Sequence, residues 1–203
     1  NMALNFANNN SLSAISAKPS GLSGGALNLI STQTASGSST ISFTSGIDST
    51  YDEYVFKFYN MHPATDQKNF QVNFRDGSTA YDATKTTTVF EAYHAEDDSG
   101  AALQYTNARD LAQSTAAQQL SNSTGNGNDE SCSGYMQLFN PSSTTFVKHF
   151  IARVQNYQGD GDGYSIQHFT AGYCNVTAAI DGVQFSFNSG NIDSGVIKLY
   201  GVS

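Results

Sequence analysis

The chain has 203 residues, with 17 Asp and Glu against nine Lys and Arg, and a formal net charge of −8. That length suits one domain, and 13 Phe with 11 Tyr supply enough apolar surface to exclude a disordered chain. The nine bases are scattered singly, which excludes wrapping of nucleic acid, and no apolar run approaches the roughly 20 residues of a membrane-spanning helix.

Residues 1–26 form a distinct segment, rich in Asn, Ser and Gly, with Lys18 as its one charge. Asn1 to Ser11 carry neither a basic nor an apolar leader region, so no secretion signal is expected. The segment has too little apolar surface to offset its own ordering entropy. It reads as a docking arm, with Leu4, Phe6, Leu12, Ile15 and Leu22 as anchors on a partner or, failing that, on its own body.

From Leu27 the pattern changes to short β-like runs. Thr40 to Thr44 and Tyr54 to Tyr59 are rich in β-branched and aromatic residues. Phe70, Val72 and Phe74 alternate with Gln71 and Asn73, the period of a half-buried strand, and Arg75-Asp76-Gly77-Ser78 supplies the turn. Thr86 to Tyr93, Tyr135 to Phe139, Phe146 to Val154 and Ile166 to Tyr173 continue the series. It closes with Val183, Phe185 and Phe187, the turn Asn188 to Asn191, and Ile197 to Tyr200. Ala108 to Leu120 reads either as a helix capped by Asn107 or as an ordered loop. The whole predicts an all-β domain over residues 27–203: an antiparallel, jelly-roll-like β sandwich of nine or ten strands behind an extended N-terminal arm.

No catalytic constellation emerges. Gly21-Leu22-Ser23-Gly24-Gly25 matches G-x-S-x-G, but no strand or helix flanks it as a nucleophile elbow requires. Gly159-Asp160-Gly161-Asp162-Gly163 lacks EF-hand spacing and reads as a hairpin tip, with cation binding as the sharper alternative. His62, His94, His149 and His168 lack zinc-site spacing, although His149 and His168 lie in predicted strands. Glu91, Glu96, Asp97 and Asp98 read as a solvated acidic loop rather than as glycosidase carboxylates. Phe56, Phe58, Phe70 and Phe74 belong to a core, whereas Tyr-bearing faces are contact surfaces. Cys132 and Cys174 are too few for a disulfide framework and read as buried thiols, with a mutual disulfide as the alternative. No cofactor or metal is expected.

Ile47-Asp48-Ser49-Thr50-Tyr51-Asp52-Glu53-Tyr54, His62-Pro63-Ala64-Thr65-Asp66 and Leu138-Phe139-Asn140-Pro141-Ser142-Ser143 resemble stretches of structural proteins of marine tailed bacteriophages. Ser189 to Ile192, Gly195 and Ile197 to Gly201 look like that group's closing motif. Gly182 stands where related sequences tend to have Ala. The resemblance implies a non-enzymatic virion component, a capsid decoration or a tail appendage or fibre. Its partners would be other virion subunits and copies of itself, with no nucleic acid and no membrane insertion. A lectin-like module binding a host glycan is the alternative. The motifs themselves read as corners: a residue before Pro leaves the helical region, and Asn-Pro-Ser-Ser leaves one strand to start another.

Overall fold

The computed structural model describes residues 26–159 and 163–203. The arm anchors Leu4, Phe6, Leu12, Ile15 and Leu22, the Gly21–Gly25 pattern, and Asp160 with Asp162 lie outside the described residues. Twelve strands and no helix occur among the described residues. In chain order they are β1 (Leu27–Ser38), β2 (Ile41–Phe43), β3 (Glu53–Pro63), β4 (Phe70–Arg75), β5 (Lys85–Ala95) and β6 (Ala101–Tyr105). Then follow β7 (Gln118–Gln119), β8 (Cys132–Phe139), β9 (Lys148–Gln158), β10 (Tyr164–Cys174), β11 (Gly182–Phe187) and β12 (Ile192–Val202).

The strands form an antiparallel β sandwich. One sheet has eight strands in the order β1-β12-β3-β8-β9-β10-β5-β6, and the other has four in the order β2-β11-β4-β7. The alternation in the sequence sets the layers. In β4, Phe70, Val72 and Phe74 are buried, and Gln71, Asn73 and Arg75 are less so. In β9, Lys148, Phe150, Ala152, Val154 and Asn156 face inward, and His149, Ile151, Arg153 and Gln155 face out.

Aromatic rings join the layers. Phe185 of β11 lies 5.4 Å from Phe56 and 5.1 Å from Phe58 of β3, and stacks on Phe70 at 5.7 Å. Phe74 of β4 reaches Phe150 of β9 at 4.9 Å. Such pairs add about 0.5–1.5 kcal/mol each beyond the area they bury. The inner face turns polar toward β5 and β10, where Lys85, Thr87, Glu91, His168 and Thr170 are buried.

The sequence motifs do form corners. Tyr54 Oη donates to the Asp48 carbonyl at 3.0 Å and accepts from the Asp48 amide at 3.0 Å, which closes the Ile47–Tyr54 bend. Asn140 takes a positive φ of 43°, and its amide donates to the Asp52 carbonyl at 2.6 Å.

Residues 108–120 form an ordered loop ending in β7, not a helix. Their backbone groups serve the two sheets instead. The Thr87 amide donates to the Leu111 carbonyl, Ser114 and Lys85 exchange backbone bonds, and Gln118 pairs with Val72. Thr87 Oγ1 donates to Gln118 Oε1 at 2.6 Å inside the sandwich. The loop thus closes one side of the sandwich between β5 and β4.

Gly134 and the two cysteines carry predictions. A Cβ on Gly134 of β8 would strike the Arg153 carbonyl oxygen and lie 2.8 Å from Val154 Cα. Both obstacles are backbone of the neighbouring strand, so Gly134→Ala is expected to cost about 1–3 kcal/mol in urea unfolding. Cys132 and Cys174 are both free and buried, so the disulfide alternative falls. Cys132 lies opposite Asn156 and Cys174 opposite Lys148 on the intervening β9, eight residues or about 27 Å apart along that strand. A bridge needs Cα atoms within about 7 Å. Burial pushes both thiols up to about 12, so iodoacetamide should label neither until the protein is unfolded.

Candidate functional site

The outer face of the eight-stranded sheet is where the large exposed side chains gather. Register brings together residues from seven strands. Tyr105 of β6 pairs with Phe90 of β5, Phe90 with Phe169 of β10, Phe169 with Arg153 of β9, Arg153 with Tyr135 of β8, and Tyr135 with Lys57 of β3. Lys57 then pairs with Lys198 of β12. All lie in one row across the sheet.

The row is organised by ring chemistry. Phe90 and Phe169 stack at 4.6 Å with their planes 7° apart, and the Arg153 guanidinium lies 5.1 Å from the Phe169 ring centre. Lys57 Nζ lies 5.5 Å from the Tyr200 ring, and Lys198 Nζ 5.6 Å from the Tyr59 ring. Each cation over a ring is worth about 0.5–1 kcal/mol where water reaches it. Phe90 is 42% exposed, Ile151 46%, and Leu103 72%, so this face leaves considerable apolar area in water. Three of the protein's nine bases sit on it, although the chain is acidic overall.

Of the acids, Glu53 shares the outward side of β3 with Lys57 and accepts from Gln137 Nε2 at 2.8 Å. Glu96, Asp97 and Asp98 are exposed in the turn between β5 and β6. Glu91 does not belong with them, which corrects the acidic-loop reading. It is 3% exposed, on the inward side of β5, paired in register with His168 of β10. Strand alternation turns it inward, and burial demands partners. His168 Nε2 lies 2.9 Å from Glu91 Oε2. Gln104 Nε2 donates to Oε1 at 2.9 Å, and Asn122 Nδ2 donates to Oε2 at 3.4 Å. The His168 imidazole at 2.9 Å, with the hydrogen bond from Gln104, holds the Glu91 carboxyl down at about 2 against the opposing effect of burial.

Asn122 is itself fixed. Asn156 Nδ2 donates to its carbonyl at 2.7 Å, Asn156 Oδ1 accepts from its amide at 3.3 Å, and Arg109 donates to its side-chain oxygen. Beside the Glu91–His168 contact opens a cleft of about 340 Å³, lined by Glu91, Tyr93, Gln104, Asn122, Gln158, Tyr164 and Ile166.

The histidines are dispersed. His62 faces Asp193, with Nδ1 and Oδ2 3.5 Å apart, and His94 faces Asp98, with Nε2 and Oδ1 3.2 Å apart. His149 is exposed on the outer face, its ring 6.0 Å from that of Tyr173. No group of three or more His, Cys, Asp or Glu able to hold a metal occurs among the described residues. Phe56, Phe58, Phe70 and Phe74 are core residues, as the alternation implies.

The outer row and the Glu91–His168 pair are not visible in the linear sequence. Both depend on register between strands up to 140 residues apart. The one local signal is the alternation that puts Phe90, Phe169 and Arg153 on the polar phase of otherwise amphipathic strands.

The chain matches no protein-family model, no curated protein and no solved structure.

Proposed function

We propose that this protein is a non-enzymatic structural subunit of a tailed-bacteriophage virion, a capsid decoration or tail appendage. In this reading it packs the outer face of its large sheet against a neighbouring copy. The observation that carries the packing is the row from Tyr105 to Lys198, an aromatic and basic stripe on an acidic protein. The virion setting rests on the resemblance of the Ile47–Tyr54, His62–Asp66 and Leu138–Ser143 motifs.

The occupant follows from charge. A second copy presents Glu96, Asp97 and Asp98 on an exposed turn, complementary to Arg153, Lys57 and Lys198. Face-to-turn contact is heterologous, and heterologous contacts generate rings or filaments, the forms a repeated particle component needs. Seven strand spacings of about 4.8 Å make the face roughly 34 Å wide, ample for the ~800 Å² per partner of a standard interface.

Segment 1–26 is proposed as a second docking element, gripping another virion subunit through Leu4, Phe6, Leu12, Ile15 and Leu22. The next element in sequence is β1, an edge strand of the eight-stranded sheet among the described residues, and edge strands suit pairing with a neighbour.

The test is assembly. The double variant Phe90→Ser/Arg153→Glu should keep the circular dichroism of the parent, since both side chains are exposed, yet lose self-association in analytical ultracentrifugation. Deleting residues 1–25 should leave a folded body that no longer enters particles. Unchanged association of the double variant would overturn the role of the sheet face, and unchanged incorporation of the truncated chain would overturn that of the arm.

A further inference from the structure

The cleft beside Glu91 lies on the inward side of the large sheet, away from the proposed docking face. We infer that it binds one neutral, hydroxyl-rich ring of the pyranose class. This inference does not rest on the virion reading.

The lining determines the ligand chemistry. Glu91 brings a carboxylate that accepts hydrogen bonds, and Gln104, Asn122 and Gln158 bring amides that both donate and accept. A hydroxyl group also does both, so adjacent hydroxyls on one ring satisfy a carboxylate and amides together. No Lys or Arg lines the cleft, and Glu91 is ionised at neutral pH, which disfavours phosphate and carboxylate ligands. A divalent cation is disfavoured as well, because one carboxylate lines the cleft and His168 already faces it at 2.9 Å.

Shape agrees with this chemistry. Tyr93 and Tyr164 stand edge to face, with ring centres 6.0 Å apart and planes at 76°, and form an aromatic corner. A sugar ring presents an apolar face of C–H groups to one such ring while its hydroxyls turn to the amides. The volume of about 340 Å³ falls at the small end of ligand sites, suited to one ring rather than a long chain.

The walls are also held in place before any ligand arrives. Asn122 is clamped by Asn156, and Gln104 is tied to Glu91. The Thr124 backbone bridges both Lys68 and Gln158, which anchors the Asn122 wall to the end of β9. Fixed polar groups lose little freedom on binding, so even a small ring gains usable affinity.

Saturation-transfer NMR on the full chain tests the inference, with the methyl pyranosides of glucose, galactose, mannose and N-acetylglucosamine as probes. At least one should receive saturation with a millimolar or tighter Kd. Tyr164→Ala and, separately, Gln104→Ala should each weaken that binding by about tenfold. Gln104 is exposed on the edge strand β6, so its variant stays folded if the larger Tyr164 truncation does not. Phe90→Ser, on the opposite face, should leave the Kd unchanged. No transfer to any of the four probes, or a Kd equal in the parent and Gln104→Ala, would overturn the site and leave the docking proposal untouched.

Discussion

Phe185→Ala is expected to lower the unfolding free energy by about 3–5 kcal/mol, the range for removing a buried phenyl ring without collapse of the surrounding core. Phe185 is fully buried in the four-stranded sheet and touches Phe43, Phe56, Phe58 and Phe70, so four rings would face the void. Those rings come from β2, β3 and β4, in both layers, and no single side-chain shift fills the space. For a chain of this size the loss corresponds to a fall in Tm of roughly 10 °C. Urea denaturation with an unchanged m-value measures it. A loss below about 1 kcal/mol would mean that the layers are not held through this ring. Phe185→Leu, which keeps most of the volume, should recover more than half of the loss.

Breaking the Glu91–His168 pair has an effect of similar size for a different reason. Glu91→Leu removes the carboxylate but leaves the buried His168 ring, the Gln104 amide and the Asn122 amide without their acceptor. Leaving a buried polar group without its partner costs about 1–3 kcal/mol, and here several lose theirs together. Glu91→Leu combined with His168→Leu should be less destabilising than the sum of the single variants, because two apolar side chains satisfy each other. A strictly additive double-mutant cycle would contradict the pair.

The pair also sets an acid limit. Glu91 has its folded pKa depressed from an ordinary 4.5 to about 2, so the unfolded chain binds the extra proton between these values. The stabilisation is complete above pH 4.5 and is lost as pH falls toward 2. The Glu91→Leu variant should therefore show a shallower loss of stability than the parent over that interval in denaturant titrations.

Much of the fold is legible in the residues because its signals are local. Phe70, Val72 and Phe74, and likewise Val183, Phe185 and Phe187, alternate strictly, and the strands around them fall where the alternation places them. β1 escapes such reading because Leu27–Ser38 is mostly Ser, Thr, Gln and Ala, with little apolar contrast between its two faces. It is a strand because β12 offers it a ladder, which is a tertiary cause. β6 and β7 are five and two residues long and depend on β5 and β4 in the same way. Ala108 to Leu120 has helix-compatible composition, yet Thr87, Lys85 and Val72 offer its backbone groups partners that local propensity does not register.

The candidate surfaces are harder to foresee for the same reason. Phe90, Phe169, Arg153 and Tyr135 are unremarkable one at a time, and Glu91 sits in sequence beside genuinely exposed acids. Strand register turns the first four into a continuous stripe, and strand phase sends Glu91 to the opposite side of the sheet.

The proposed assembly, and the proposed phage origin with it, has its most direct test in a reconstruction of intact particles from the source of this chain. The predicted result is density for this sandwich in repeated copies, with Phe90, Phe169 and Arg153 covered by the acidic β5–β6 turn of the adjacent copy. Particles that lack the chain, or that carry it with this sheet face open to solvent, would contradict it.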